Sequence, residues 1–439
     1  MSTDRLPANR DVWRIAAPMI LSNVSVPLLG MVDTGVTGHL DSPTYLGAVA
    51  IGSTIFGFLY TGMNFLRMGT TGIAAQCFGA DDNDGLRAAL GQAIIVAVLI
   101  GLVLLALQIP IGEWAIPLFG AEIDVEKSAL VYFSIRIWSA PGTLANYVLI
   151  GWFLGLQNAR VPLLIFLTIN ITNIVLDLVF VIGLGMQVDG VALASVIAEY
   201  SGLLVGLGFA VHALRSRDGH WPLARLLNVR AYSAFFAVNA NLFIRTMALM
   251  FTFAFVTAQG ARLGGVVLAA NAVLMNLQML TAFALDGFAH AAEALVGKAV
   301  GQRNSAALKQ SVRLALRWSL KFAVGFCVFY IVAGPLLIRT LTDLADVRET
   351  AMRFLPWLVL SPLVSVWSFL YDGVYVGATR AREMRNIMVF STVGIFLPAW
   401  FLLQGYGNHG LWLAFTLFMA SRGIGMHIGY HRKVLPAAT

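Results

Sequence analysis

The sequence predicts an all-α polytopic membrane protein with twelve transmembrane helices in two pseudo-symmetric six-helix lobes. Three observations carry this expectation. Of the 439 residues, 59% are hydrophobic and 12% charged, against roughly 25% charged in a soluble domain. The apolar residues fall in runs long enough to cross a bilayer. The second half of the chain also repeats the first at an offset of about 222 residues.

A helix crossing the hydrocarbon needs about 20 mostly apolar residues. The first such run, 12–38, follows a short polar segment with Arg5 and Arg10 and contains Pro18, Pro27, Gly30, Gly35 and Gly38, so it is built to bend. No small-residue cleavage site follows it, and it reads as an uncleaved span. Runs at 45–77, 88–109, 128–155, 161–184 and 190–213 complete a first set of six. A second set lies at 232–258, 266–296, 309–334, 350–377, 386–404 and 409–430. The expected division is an amino-terminal lobe over 1–213, a linker over 214–231 and a carboxy-terminal lobe over 232–439.

An even number of spans puts both termini on one side. The connections on that side hold Arg215, Arg217, Arg225, Arg230, Arg303, Lys309, Arg380, Arg382 and Arg385, whereas the opposite ones hold only Lys127, Arg262, Arg339 and Arg348. The excess of lysine and arginine marks the first side as cytoplasmic, and it accounts for the formal charge of +7 without a nucleic-acid partner.

The repeat matches Gly79 with Gly301 and Leu86 with Leu308, and further on Gly155 with Gly377 and Arg160 with Arg382. "VDGVALA" and "NHGLWLA" align at 220. Six helices per unit give the two halves the same orientation, related by an axis along the membrane normal. A cavity between two such lobes is the natural place for a site.

Charged side chains at mid-membrane cost about 2.5 to 3.5 kcal/mol on insertion scales and usually face a cavity or a partner. Asp33 lies in the bend-prone first span. In the fifth, "NITNIVLDLVF" puts Asn170, Asn173 and Asp177 at i, i+3 and i+7, one face of a helix. Amides bond both forms of a carboxyl, and apolar surroundings favour its neutral form, so such a group can carry a proton. Polar stripes of this kind also serve as glue between helices. Arg67, Glu199, Arg245, Asp286, Glu293 and Asp372 are further intramembrane candidates, with Arg136 nearer an interface. Asn64 and Asp286 occupy matching repeat positions. Arg67 then lies one turn from the symmetry partner of Asp286, and an ion pair between lobes is one arrangement, pairing within each lobe the other.

Other chemistries lack their signals. There is no GxxxxGK[ST] phosphate loop for ATP, and Gly297–Lys298 is followed by alanine. Cys77 and Cys327 form no CxxC pattern. The Asp81, Asp82, Asp84 group contains the asparagine and glycine of a solvated turn, so no metal and no cofactor is expected. A lipid-modifying enzyme would need paired acids or histidines at an interface, and the seven histidines show no such cluster. A lipid or lipid-linked precursor flippase of similar two-lobe architecture would favour an arginine-rich cavity.

The motifs "PMILSNVSVPLLGMVDTGVTGHL", "FLRMGTTGIAAQCFGA", "NIVLD", "GVALASVIAEY", "NAVLMNLQMLTAFALDGFAHAAEALVG" and "YDGVYVGATRAREMRN" together resemble the multidrug and toxic compound extrusion (MATE) transporters, in the branch of the DNA-damage-inducible protein F. The resemblance spans the whole chain. It implies a V-shaped pair of lobes in a bacterial inner membrane and efflux of small amphipathic or cationic molecules, driven by inward flow of protons, with sodium as the alternative ion. It also implies a protonatable network of Asp33, Asp177 and Asn173, with Tyr132 and Ser195 as hydroxyl members, and a substrate site near Asn170, Asn173 and Asp33. Sodium-coupled relatives carry acids in the carboxy-terminal lobe, where this chain has Asp286, Glu293 and Asp372. With Arg67 these form the candidate inter-lobe or cation site.

Overall fold

Apolar runs of this length leave backbone polar groups no partner but their own helix, and the computed structural model is helical accordingly. It describes residues 6–37 and 42–436, with the side chains of all of these except 26–34, 36, 37, 231 and 234. Among the described residues twelve long helices follow one another: α1 (Asn9–Thr37), α2 (Pro43–Gly79), α3 (Asn83–Ala106), α4 (123–155), α5 (Arg160–Gly183), α6 (Val188–Arg215), α7 (Phe235–Arg262), α8 (Gly265–Gly301), α9 (Ser305–Leu341), α10 (Ala345–Gly377), α11 (Ala381–Tyr406) and α12 (Asn408–Val434). Ten are long and apolar enough among the described residues to cross a membrane. The other two are α1 and α4, the latter interrupted by a 3-10 turn at Ile137–Ser139. The twelve helices answer to the twelve expected spans, and no strand occurs among the described residues.

Contacts divide the chain into two units, Leu21–Ala234 and Met1–Ile20 with Phe235–Thr439. The division falls inside α1. Its opening turns are fastened to the second unit, where the Trp13 ring packs edge-on against Phe288 and Trp318 and the Trp318 indole donates to Asn9 Oδ1 at 2.9 Å. That unit's core gathers Leu274, Tyr330, Phe354, Phe396, Trp412, Phe415 and Phe418. In the first unit, Arg87 of α3 donates to the carbonyls of Leu214 and Arg217 at 3.0 and 2.9 Å. It thereby satisfies groups that the end of α6 leaves open.

The backbone of one unit repeats in the other. Among the described residues, the non-glycine positions with positive φ are Asp81 (54°) and Gln157 (59°) in one unit, Arg303 (52°) and Thr379 (53°) in the other. Each pair is 222 residues apart. The turn after α2 closes with Asp82 N–H on Cys77 O and Asp82 Oδ1 accepting from Gly85 N–H, at 2.9 and 2.7 Å. The turn after α8 does the same with Asn304, Ala299 and Ala307. Close helix approaches repeat too: Gly151 and Gly155 of α4 lie on the backbone of Arg67 and Thr71, and Gly373 and Gly377 of α10 on that of Ala289 and Glu293.

Three further spans, α2, α5 and α11, are interrupted where the sequence shows no break. The second span expected at 45–77 is split at Asn64, between Pro43–Met63 and Phe65–Gly79. In α5 the α-helix ends at Asp177 and continues as a π-helix over Leu178–Gly183, and α11 carries a π-segment at Phe390–Phe396. Such segments widen the turn and recur at functional positions.

Candidate functional site

The expected face of α5 is buried: Asn170, Asn173 and Asp177 are 8%, 2% and 0% exposed. Their spacing turns all three toward neighbouring helices of the first unit. Asn173 Nδ2 donates to Ser195 Oγ on α6 at 3.3 Å. Asn170 Nδ2 donates to Ser25 Oγ on α1 at 2.9 Å, and the Ser25 hydroxyl donates to Ser22 O at 2.7 Å. Asp177 sits where α-helix gives way to π-helix, so its carboxyl is held at a point where the helix is already distorted. The structure thus joins Asn170 to the first-unit part of α1 and Asn173 to Ser195 of α6, with Asp177 one turn further along the same buried face of α5. The helix α1 runs through residue 33, but the Asp33 side chain lies outside the described residues.

Tyr132 is fully buried but takes part in an adjacent cluster. Its hydroxyl accepts from the Arg136 guanidinium and lies 3.4 Å from Ser53 Oγ. That guanidinium stacks over the rings of Phe56 and Tyr132, 5.2 and 5.4 Å from their centroids. Beyond it, Tyr60 and Ser139 share a hydrogen bond of 2.9 Å, and Asn146 donates to Glu199. Arg67, of the same unit, donates from Nε to Asn64 Oδ1 at 3.1 Å, across the break in α2.

In the second unit the acids have local partners. Asp372 Oδ2 accepts from Arg422 Nη2 at 2.8 Å and from Arg245, all three side chains being buried. Glu293 Oε2 lies 3.3 Å from His290 Nδ1, one turn away on α8. Asp286 is near enough to act electrostatically on Arg422. Sequence reasoning did not single out Arg422, although an arginine within the apolar run of α12 was itself a signal. Among the described residues no group of three histidines, cysteines or acids is placed to hold a metal ion. Of the aspartates at the start of α3, Asp82 caps the helix and Asp84, in its first turn, accepts from His220 N–H at 2.7 Å.

A protein-family model described as MatE matches residues 18–179 and again 242–401. The two matches begin 224 and end 222 residues apart, the period of the internal repeat. Over 419 residues the chain is 44% identical to the DNA damage-inducible protein F of Escherichia coli, covering 95% of this chain and 91% of that one. It is 23% identical over 431 residues to the multidrug resistance protein MdtK of Edwardsiella ictaluri, covering 95% and 94%. Among solved structures, MATE in the bent conformation superposes with a TM-score of 0.87 at 18% identity, over 98% of this chain and 96% of that one.

Proposed function

The chain belongs to the MatE family, and from that premise we propose that it is a secondary exporter of small molecules, working by antiport with protons through the Leu21–Ala234 unit. The observation that carries the proton assignment is the contrast between two buried carboxyls. Asp372 is neutralised in place by Arg245 and Arg422, which leaves it poorly suited to hold a sodium ion. Asp177 is fully buried on the α5 face that carries Asn170 and Asn173, amides able to bond either form of a carboxyl without fixing its charge.

In this reading protons enter from the periplasm and neutralise Asp177 or Asp33, substrate leaves, and the units then re-expose the site to the cytoplasm. Contact between Asn170 and Ser25 gives α5 a direct hold on α1, so a change of charge at Asp177 acts on a helix rich in proline and glycine. One charge falling through 100 mV releases about 2.3 kcal/mol, and every 1.4 kcal/mol is a factor of ten. One proton therefore supports a gradient of roughly fifty-fold. The lysine and arginine bias supports cytoplasmic termini and a cytoplasmic linker over 214–231, and the likeness to the Escherichia coli protein supports a bacterial inner membrane.

The test is accumulation of a fluorescent lipophilic cation in cells producing the protein. Lower accumulation than in control cells, abolished by a protonophore, is expected. Equal accumulation in both would remove the export assignment.

A further inference from the structure

Glu199 takes no part in the network around Asp177. It is the twelfth of the 28 residues of α6, about 17 Å along the helix from Val188 at 1.5 Å per residue, which places it at the centre of the span. Its Oε2 accepts from Asn146 Nδ2 of α4 at 2.9 Å, and the same nitrogen reaches the Glu199 carbonyl at 2.9 Å. No ion pair reaches this carboxyl among the described residues. The titratable and charged groups around it are Arg136 and Tyr147 of α4 and Tyr60 of α2. Arg136 already serves Tyr132 and Ser53. On the α5 side Asn173 donates to Ser195, which stands one turn before Glu199 on the same face of α6, and Asp177 lies one turn beyond Asn173 on α5.

A carboxylate at mid-span whose hydrogen-bonding neighbours, the Asn146 amide and the Thr143 hydroxyl, are neutral is a costly arrangement if its charge is permanent. Asn146 gives the second clue. It is 2% exposed, and its Oδ1 is buried with no hydrogen-bond partner. An amide in that position donates Nδ2 to the ionised acid, and on turning over offers Oδ1 to the O–H of the protonated one. A group meant only to join two helices has no need of that spare acceptor.

We propose that Glu199 is a further proton-carrying carboxyl of the Leu21–Ala234 unit, beside those of the antiport reading, served in both protonation states by Asn146 and connected toward Asp177 through Ser195 and Asn173. The proposal rests on the proton-antiport reading and extends it. Carboxyls on both α5 and α6 of one unit give protons a route between helices rather than a single stop.

Infrared difference spectra of the purified protein, recorded as the medium is taken from acid to alkaline, test it. The protonated-carboxyl stretch of the wild type should lose one component in Glu199→Gln and a different one in Asp177→Asn, while Glu199→Asp keeps a shifted component. Asn146→Leu should displace the Glu199 component and leave that of Asp177 in place. Spectra of Glu199→Gln and wild type that coincide at every pH would overturn the proposal. So would a pH-driven efflux by vesicles of the folded Glu199→Gln variant equal to that of the wild type. The spectra need no ion gradient, so failure of this proposal is distinguishable from failure of the antiport reading.

Discussion

Asp177 and Asp372 are both carboxyls inside membrane-spanning helices, and their neighbours differ: Arg245 and Arg422 pair with Asp372, whereas Asp177 shares its helix face with Asn170 and Asn173. Replacing Asp177 by asparagine mimics a permanently neutral acid of the same shape. Efflux driven by a proton gradient should fall at least about tenfold, the factor equivalent to 1.4 kcal/mol, with the elution profile of the purified protein unchanged. Asp372→Ala leaves Arg245 and Arg422 facing each other in a buried site. Breaking a buried ion pair costs about 3–5 kcal/mol, so this variant should unfold at a clearly lower temperature than Asp177→Asn in the same detergent. A melting temperature equal to the wild type's would mean that the triad does not hold the helices together. The α5 face was legible in the sequence because one helix carries all three residues and its period is fixed. The Arg245, Asp372 and Arg422 cluster was not, because three different helices supply it and only packing brings them together. Tyr132 was expected among the hydroxyls of the Asp177 network, on the family resemblance. In the structure its hydroxyl partners are Arg136 and Ser53.

At the scale of elements, the chain turns its corners the same way in both units. Thr379 sits at φ 53°, a conformation costly for a β-branched residue. Thr379→Gly should raise stability by about 1 kcal/mol, and Gln157→Gly, at the matching corner, by less. Thermal unfolding checks both, and a loss of stability at Thr379 would contradict the backbone assignment. The glycine contacts predict a second matched pair. Alanine at Gly151 or Gly373 would push a Cβ into the backbone of Arg67 or Ala289, at a cost of about 1–3 kcal/mol. Alanine at Gly57 of α2, with nothing within 4 Å, should be neutral or stabilising. The repeat behind these pairs was legible from Gly79, Gly301, Gly155 and Gly377 alone, since small residues mark both close contacts and helix ends. The π-segments after Asp177 and in α11 were not legible. Their i→i+5 bonding leaves no pattern in residue type, and apolar runs read the same in either helix.

For the whole molecule, the number and order of the spans were readable because the bilayer imposes length and hydropathy on each. Contacts, by contrast, place the first turns of α1 with the second unit, since Trp13 packs on Phe288 and Trp318, a pairing that sequence position gives no reason to expect. A helix shared in this way passes from one unit into the other, and its first-unit part holds the hydrogen bond to Asn170. The account therefore makes the Leu21–Ala234 unit the place where proton flow is coupled to export. The most direct measurement is transport of tetraphenylphosphonium, a lipophilic cation, in proteoliposomes under an imposed pH gradient and, separately, an imposed sodium gradient, for wild type and Asp177→Asn. The account predicts transport opposite to the proton flow in the wild type, none in the variant, and no response to sodium in either. Transport driven by sodium alone, or an undiminished response to pH in Asp177→Asn, would contradict it.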